Sequence, residues 1–381
     1  MTTMRNINLK NKIKALDLFA GAGGISKGLS NAGIDVVLAN EIDKDFAKTY
    51  ESNHKDTLMF RDDIKTFSNQ LDKYSKSSID LIVGGPPCQG FSMAGERIRG
   101  KKRFLHDPRN YLFKYYFKTV QYFEPKMFIF ENVTGITNMD NGSYLEEIIK
   151  LFTTKSNFTN DPYHLSYKII DFSDYGVPQK RKRFVMLGSK KPIGTLDEVI
   201  LNYLNKLPSD SKFKMKPNIR DAISDLNYLE SGEGVFKQSY RFDSLSDYQE
   251  LMRNNSSSLY NHVATNHNDK ALQRIRQLDQ GQNRENLSEV DEINSVHSGS
   301  YGRMRWDDQA VTITTRFDTP SGGRFIHPEM NRTITPREAA RLQSFPDNFV
   351  FEGSKTKIST MIGNAVPPLF AELLGNTMKE L

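Results

Sequence analysis

The segment Gly84-Gly85-Pro86-Pro87-Cys88-Gln89-Gly90-Phe91-Ser92 constrains this chain more than any other. Two consecutive prolines fix φ and remove two backbone donors, so the apolar strand expected over 79–83 must stop there. The flanking glycines allow a sharp turn and let a ligand approach the backbone closely. Cys88, the only cysteine of the chain, is therefore presented on a rigid turn. A free thiol without such a frame is more often a small buried hydrophobe.

Strand and helix alternate through the first half. The stretch 14–19 reads as a short strand that ends in Ala20-Gly21-Ala22-Gly23-Gly24, and a helix with Ile25 and Leu29 on one face follows. A second strand, 35–39, ends at Asn40-Glu41. About 20 residues is the spacing expected between a nucleotide-binding turn and the acid that grips a ribose. Further on, Asp62-Asp63-Ile64 offers a carboxylate for an adenine amino group and an apolar side chain beside the ring. Ser26 stands where the last glycine of a dinucleotide fingerprint would fall. A ligand without a pyrophosphate has less need of that glycine, which favours an adenosine cofactor such as S-adenosylmethionine over NAD; a plain tight turn is the alternative.

The strand 79–83 leads into the Cys88 turn, and a fourth, 127–130, delivers Glu131-Asn132-Val133 at its carboxyl end. Ligands of open α/β sheets bind at that edge, where Cys88 and Glu131 would face one another. Alone, Glu131 reads better as a helix-capping or salt-bridged acid. A further strand, 184–187, follows Gln179-Lys180-Arg181-Lys182-Arg183. Alternation puts Gln179, Arg181 and Arg183 on one face and the lysines on the other. Without further context, a solvated basic run is the default reading.

Five of the seven residues from Arg97 to Arg103 are Arg or Lys, with Gly95 and Gly100 as hinges. This stretch is either a solvated loop or a lid that closes on DNA phosphate, and its place directly after the cysteine favours the lid. Asp107-Pro108-Arg109-Asn110 then opens a helix bearing Leu112, Tyr115 and Tyr116.

At 381 residues and 37% hydrophobic content the chain can build two domains, or one with a large insertion. No run approaches the ~18 apolar residues of a membrane span, and no charged-then-apolar leader opens the sequence. One cysteine excludes an internal disulfide and a cysteine-rich zinc site, so a reducing, cytoplasmic setting and no metal are expected. The net charge of +6 suits a polyanionic partner. After Gly188 the composition shifts towards Lys, Pro and Ser as far as Asn218, with one short helix over 196–204. Residues 227–300 are polar with weak periodicity. Arg274-Ile275-Arg276, Arg303-Met304-Arg305-Trp306 and Thr315-Arg316-Phe317 are basic segments, candidates to face a polyanionic partner. Thr335-Pro336-Arg337-Glu338 starts a helix with Pro at its first position, one expected to organise a small domain rather than touch substrate.

Six blocks of this sequence together resemble the DNA (cytosine-5) methyltransferases of bacterial restriction–modification systems. They are Asp17-Leu18-Phe19-Ala20-Gly21-Ala22-Gly23-Gly24, the Gly85 to Ser92 turn, Glu131-Asn132-Val133, the Gln179 to Arg183 run, Arg341-Leu342-Gln343-Ser344-Phe345-Pro346-Asp347 and Gly363-Asn364-Ala365-Val366-Pro367-Pro368. The blocks stand in the family's order and span nearly the whole chain.

The resemblance implies an α/β fold. A Rossmann-like, S-adenosylmethionine-dependent methyltransferase sheet would occupy 1–188. A smaller, mostly irregular or β target-recognition domain would occupy 189–357, and a helix from about 358 to 381 would return to the first domain. It implies that the Cys88 thiolate adds to C6 of a flipped-out cytosine, that Glu131 binds the N3 and amino edge, and that Arg183 lies near O2. Arg181 would lie near the cysteine loop or a phosphate. The implied cofactor set is Phe19, Ala20, Gly21, Gly23, Gly24, Glu41, Ile42, Asp63, Ile64, Pro86, Leu112, Asn364 and Val366. DNA would be met by Ser92, Arg97, Arg99, Lys101, Lys102, Arg103, Arg303, Arg305 and Arg316. The implied partners are duplex DNA and a separately acting restriction endonuclease, with a monomer sufficient for the reaction.

Three other readings compete. A family member directed at structured RNA would have a compact recognition region and other residues around the cysteine. A binding protein that keeps only the fold would not need Cys88, Glu131, Arg181 and Arg183 together. An amino-directed methyltransferase would carry an Asp/Asn/Ser-Pro-Pro-aromatic turn and no thiol.

Overall fold

The computed structural model describes residues 12–87, 112–254, 256–293 and 299–381. Its centre is a seven-stranded sheet. In chain order the strands are β1 (Lys14–Leu18), β2 (Asp35–Asn40), β3 (Leu58–Phe60), β4 (Leu81–Gly84), β5 (Met127–Val133), β6 (His164–Asp171) and β7 (Lys182–Ser189). They lie side by side as β3-β2-β1-β4-β5-β7-β6. The first five are parallel, and β7 runs antiparallel to both β5 and β6. Strand order reverses between β1 and β4, so their carboxyl ends open the crevice where ligands of such sheets sit.

Alternation along each strand sends successive side chains to opposite faces. Leu16, Ile82, Phe128, Phe130, Phe184 and Met186 pack on one face, beneath α3 (Ile64–Ser68), α4 (Phe113–Phe123) and α5 (Ser143–Thr153). Ala15, Val83, Ile129, Val185 and Leu187 pack on the other. That second face is covered by α1 (Gly24–Asn31), by α6 (Leu196–Leu204) and by the last helix of the chain. Between α1 and α3, α2 (Lys44–Asn53) starts at Asp43, whose carboxylate accepts from the backbone of Asp45 and Phe46.

The remaining helices are short. They are α7 (Ile219–Ile223), α8 (Asp247–Arg253), α9 (Asp269–Ile275) and α10 (Pro336–Leu342), accompanied by a two-residue antiparallel pair, β8 (Lys237–Gln238) with β9 (Leu259–Tyr260). Irregular chain fills most of this region, yet it has its own core of Trp306, Ile313, Phe325, Leu342, Phe345, Phe349 and Phe351. Arg341 runs through that core, bound to Asp347 at 2.7 Å and to Asp225, all three fully buried. A capping box between Thr335 and Glu338, with Pro336 at the first position, starts α10 as expected. The helix organises the small core.

The sequence reading shortened several strands. β5 and β7 continue through the charged residues Glu131 and Arg183, which are held in the ladder by each other. The single helix expected from about 358 is two helices, α11 (Lys355–Asn364) and α12 (Pro368–Met378). Pro367 and Pro368 cannot donate, and the residue before a proline is driven out of the helical region, as Pro367 (ψ 128°) is; Ala365 (ψ 149°) is already extended. α12 does return to the sheet. A side-chain carbon on Gly28 of α1 would collide with the Pro368 carbonyl oxygen, and one on Gly375 would stand 2.9 Å from Ala32 Cβ.

Candidate active site

β1 ends in a turn that needs left-handed backbone at Phe19 (φ 57°), Gly21 (φ 57°) and Gly23 (φ 93°). The turn is tied to β2. Gly21 N–H donates to one Glu41 carboxylate oxygen at 2.8 Å, and Asp43 N–H donates to the other at 2.8 Å. Glu41 is 8% exposed, and burial raises its carboxyl above the usual range despite these hydrogen bonds. A carboxylate so held keeps further lone pairs for a ligand. Space is open in front of Gly21, and Ile42 next to Glu41 is 62% exposed, an apolar side chain with no packing partner.

Behind the turn lies a buried polar chain that the sequence did not announce. Ser26 Oγ donates to Asp17 at 2.6 Å and meets the Tyr50 hydroxyl at 2.7 Å. The other Asp17 oxygen is buried without a partner, and burial pushes this carboxyl up to about 7. Ser26 is thus a bridge between β1 and α2. The one available signal was an acid inside an otherwise apolar strand.

At the end of β4, Pro86 is buried and its carbonyl accepts from Asn132 Nδ2 at 3.1 Å. A side chain on Gly85 would stand 2.7 Å from Glu131 Oε2, so only glycine lets the turn rest on that acid. Arg183 Nε lies 3.3 Å from Glu131 Oε1, with both side chains nearly buried. Burial raises the Glu131 carboxyl, and the charges of Arg183 and Arg181 oppose the rise. Cys88, Ser92, Arg97, Arg99, Lys101, Lys102 and Arg103, and with them the expected lid, lie outside the described residues.

Two expected placements are corrected, those of Ile64 and Arg303. Arg181 is 1% exposed, and its guanidinium donates to the carbonyls of Ile313 at 3.2 Å and Gly363 at 2.9 Å. It is a strut joining β7's approach, the small core and α11. Ile64 is 4% exposed inside the core under α3 and has no face to offer a ring. Arg303 is 6% exposed, spent on the carbonyls of His327, Met330 and Ile275 and on Asn331, whereas Arg305 and Arg316 are exposed. Asp63 caps α3 through Lys65 N–H at 2.8 Å. Val366 reaches the crevice from the far end of the chain, its carbonyl seated against Gly24, with Asn364 exposed beside it. Leu112 stands at the amino end of α4, partly buried.

A parallel sheet with one antiparallel strand inserted, a glycine turn after β1 and an acid after β2 together define an S-adenosylmethionine-dependent methyltransferase. The family model of the C-5 cytosine-specific DNA methylases matches residues 13–380. The Type II methyltransferase M.DdeI of Desulfomicrobium norvegicum is 37% identical over 377 residues, covering 94% of this chain and 86% of that protein. M1.HphI of Haemophilus parahaemolyticus, also a Type II methyltransferase, is 33% identical over 368 residues, covering 96% of this chain and 86% of that protein. A solved structure described as a DNA modification methyltransferase encoded within an E. coli prophage superposes with a TM-score of 0.74 at 26% identity, covering 97% of this chain and 99% of that one. The chain belongs to the C-5 cytosine-specific DNA methylases. Its methyl donor is S-adenosylmethionine and its substrate is DNA. No described helix is long and apolar enough to cross a membrane.

Proposed function

We propose that this chain methylates C5 of one cytosine within a short duplex sequence, as the modification partner of a separately acting restriction endonuclease. The Glu131–Arg183 pair behind the Gly85-Pro86-Pro87 turn carries the reading. Cytosine C5 is a weak nucleophile and must be activated. Cys88, the residue after Pro87, adds as thiolate to C6 of the flipped base. Glu131, whose carboxyl burial raises against the charges of Arg183 and Arg181, would hold or donate the proton at N3, so electrons displaced from C6 gather at C5. Arg183 offsets negative charge on the ring at O2. S-adenosylmethionine, when bound, supplies the methyl as an electrophilic carbon on a sulfonium. C5 would then lose its proton to solvent water, and the Cys88 sulfur would leave C6 as thiolate as the 5,6 double bond returns.

Phe19, Ala20, Gly21, Gly23 and Gly24 form the cofactor turn, Glu41 takes the ribose hydroxyls, and Ile42 covers the ring. Asp63, Pro86, Leu112, Asn364 and Val366 complete the pocket. Residues 1–188 and 358–381 act as the catalytic domain and 189–357 as the recognition domain. DNA is met by Ser92, the basic stretch from Arg97 to Arg103, Arg305 and Arg316, and the enzyme works as a cytoplasmic monomer.

The test is bisulfite sequencing of DNA from a methylation-free host expressing the chain, beside a Cys88→Ala control. Protected cytosines in one short context, absent from the control, are expected. Full conversion by a soluble, cofactor-binding protein would sink the proposal.

A further inference from the structure

Most arginines of the small core are spent within it. Arg332 binds Glu338 at 2.8 Å, Arg337 donates to the carbonyls of Tyr260 and Pro346, Arg253 binds Asp225 at 2.7 Å, and Arg303 and Arg341 are buried and bonded. Arg316 and Arg324 differ. Both are exposed, and neither side chain has a hydrogen bond or ion pair among the described residues. The acid between them in sequence, Asp318, faces Lys355 at 3.9 Å.

The segment that carries these two arginines is fixed to the catalytic strand. Ala310 N–H donates to the Pro178 carbonyl at 3.0 Å and Lys180 N–H to the Ala310 carbonyl at 2.8 Å. Thr312 Oγ1 donates to the Lys180 carbonyl at 2.8 Å, and Ile313 N–H donates to Gln179 Oε1 at 2.6 Å. The backbone of Thr314 and Thr315 then lies against Gly363, where any side chain would stand 2.5 Å from it. Thr319 N–H returns to the Arg316 carbonyl at 3.2 Å and Gly322 N–H to the Thr319 carbonyl at 2.8 Å, closing a compact loop. Arg324 follows, its stem laid across two glycines: a side-chain carbon on Gly302 or Gly299 would stand 2.5 or 2.9 Å from its Cγ. The guanidinium beyond that stem is exposed and has no hydrogen bond or ion pair among the described residues.

We propose that Arg324, acting with Arg316, is a phosphate clamp that seats the DNA backbone beside the catalytic strand. The proposal rests on the DNA reading above. A guanidinium with no partner of its own matches phosphate with two parallel hydrogen bonds. Phosphate is favoured over a base edge because the segment is locked to residues 178–181. Its position relative to the reacting base is thus the same whatever sequence flanks it, and phosphates recur at constant spacing while base edges do not. Arg324 is therefore a positioning residue.

The test uses the full-length protein and a duplex bearing the site that bisulfite mapping finds. The slope of log affinity against log salt should fall by about 1 in Arg324→Ala and by about 2 in Arg316→Ala/Arg324→Ala, since each phosphate contact releases about one counterion. Arg324→Lys should recover most of the slope, and the methylated context should be unchanged in all three. Parental slopes in both alanine variants would overturn the clamp. So would a broadened context, which assigns base reading, or a slope loss that lysine does not recover together with a lowered melting temperature, which assigns packing alone. A parent that leaves DNA unmethylated would instead refute the proposed function.

Discussion

Arg183 and Glu131 meet across the antiparallel junction of β5 and β7, where Val133 pairs with Arg183 and Glu131 pairs with Val185. Two opposite charges therefore sit in ladder positions, not on loops, and their separation is set by sheet geometry. Glu131→Gln keeps the shape but removes the titrating proton. We expect single-turnover methyl transfer to fall about 10²- to 10⁴-fold, the range for loss of a positioned acid–base group, with cofactor affinity unchanged. A glutamine variant as fast as the parent would remove Glu131 from the chemistry.

Glu41 is held by two backbone donors and belongs to binding. Its replacement by alanine should raise KM for S-adenosylmethionine about 10- to 100-fold, as expected when hydrogen bonds to a charged group are lost, while kcat changes little. Steady-state kinetics at saturating DNA separates the two parameters. A fall confined to kcat would contradict the assignment.

Asp17 should make stability depend on pH in an unusual direction. Its folded pKa, about 7, lies above the unfolded value, so the stabilisation is full below about pH 4 and is lost as pH rises through 7. Between pH 6 and 8 the parent should lose roughly 1 kcal/mol relative to Asp17→Asn, which still accepts from Ser26. Parallel melting curves for the two proteins across that range would show that Asp17 does not titrate there.

Arg341 joins two acids inside the small core, all fully buried. Removing it strands Asp225 and Asp347 away from water, so Arg341→Ala should destabilise by about 3–5 kcal/mol. Denaturant titration measures this, and a loss under 1 kcal/mol would mean that water enters and solvates the acids.

Much of the sheet was legible because apolar alternation and Gly/Pro punctuation are local signals. α6 falls on 196–204, where periodicity put it. Charged residues within strands misled the reading at Glu131 and Arg183, since each looks like a strand end until its partner is known. Arginines were the hardest. Arg303 and Arg324 carry the same charge in similar surroundings of sequence, yet one is taken up by backbone carbonyls and the other lies over glycines. That difference is made by chain segments meeting in space. Ser26 was visible as a departure from the dinucleotide pattern, but its bonds to Asp17 and Tyr50 appear only when α2 packs beside β1.

α12 has a consequence for the order of events at the ribosome. Gly28 is shaped to receive Pro368, Ala371 and Glu372, and Gly24 to receive Val366. While the small core is being synthesised, the first strands and α1 have already emerged with one apolar face uncovered. Translation must reach the last turns of α12 before that face is sealed and the crevice is complete. A chain cut short before α12 would leave that face open. The same division means that two polypeptides split within the small core would carry complementary surfaces, Gly24 and Gly28 on one and Val366 and Pro368 on the other.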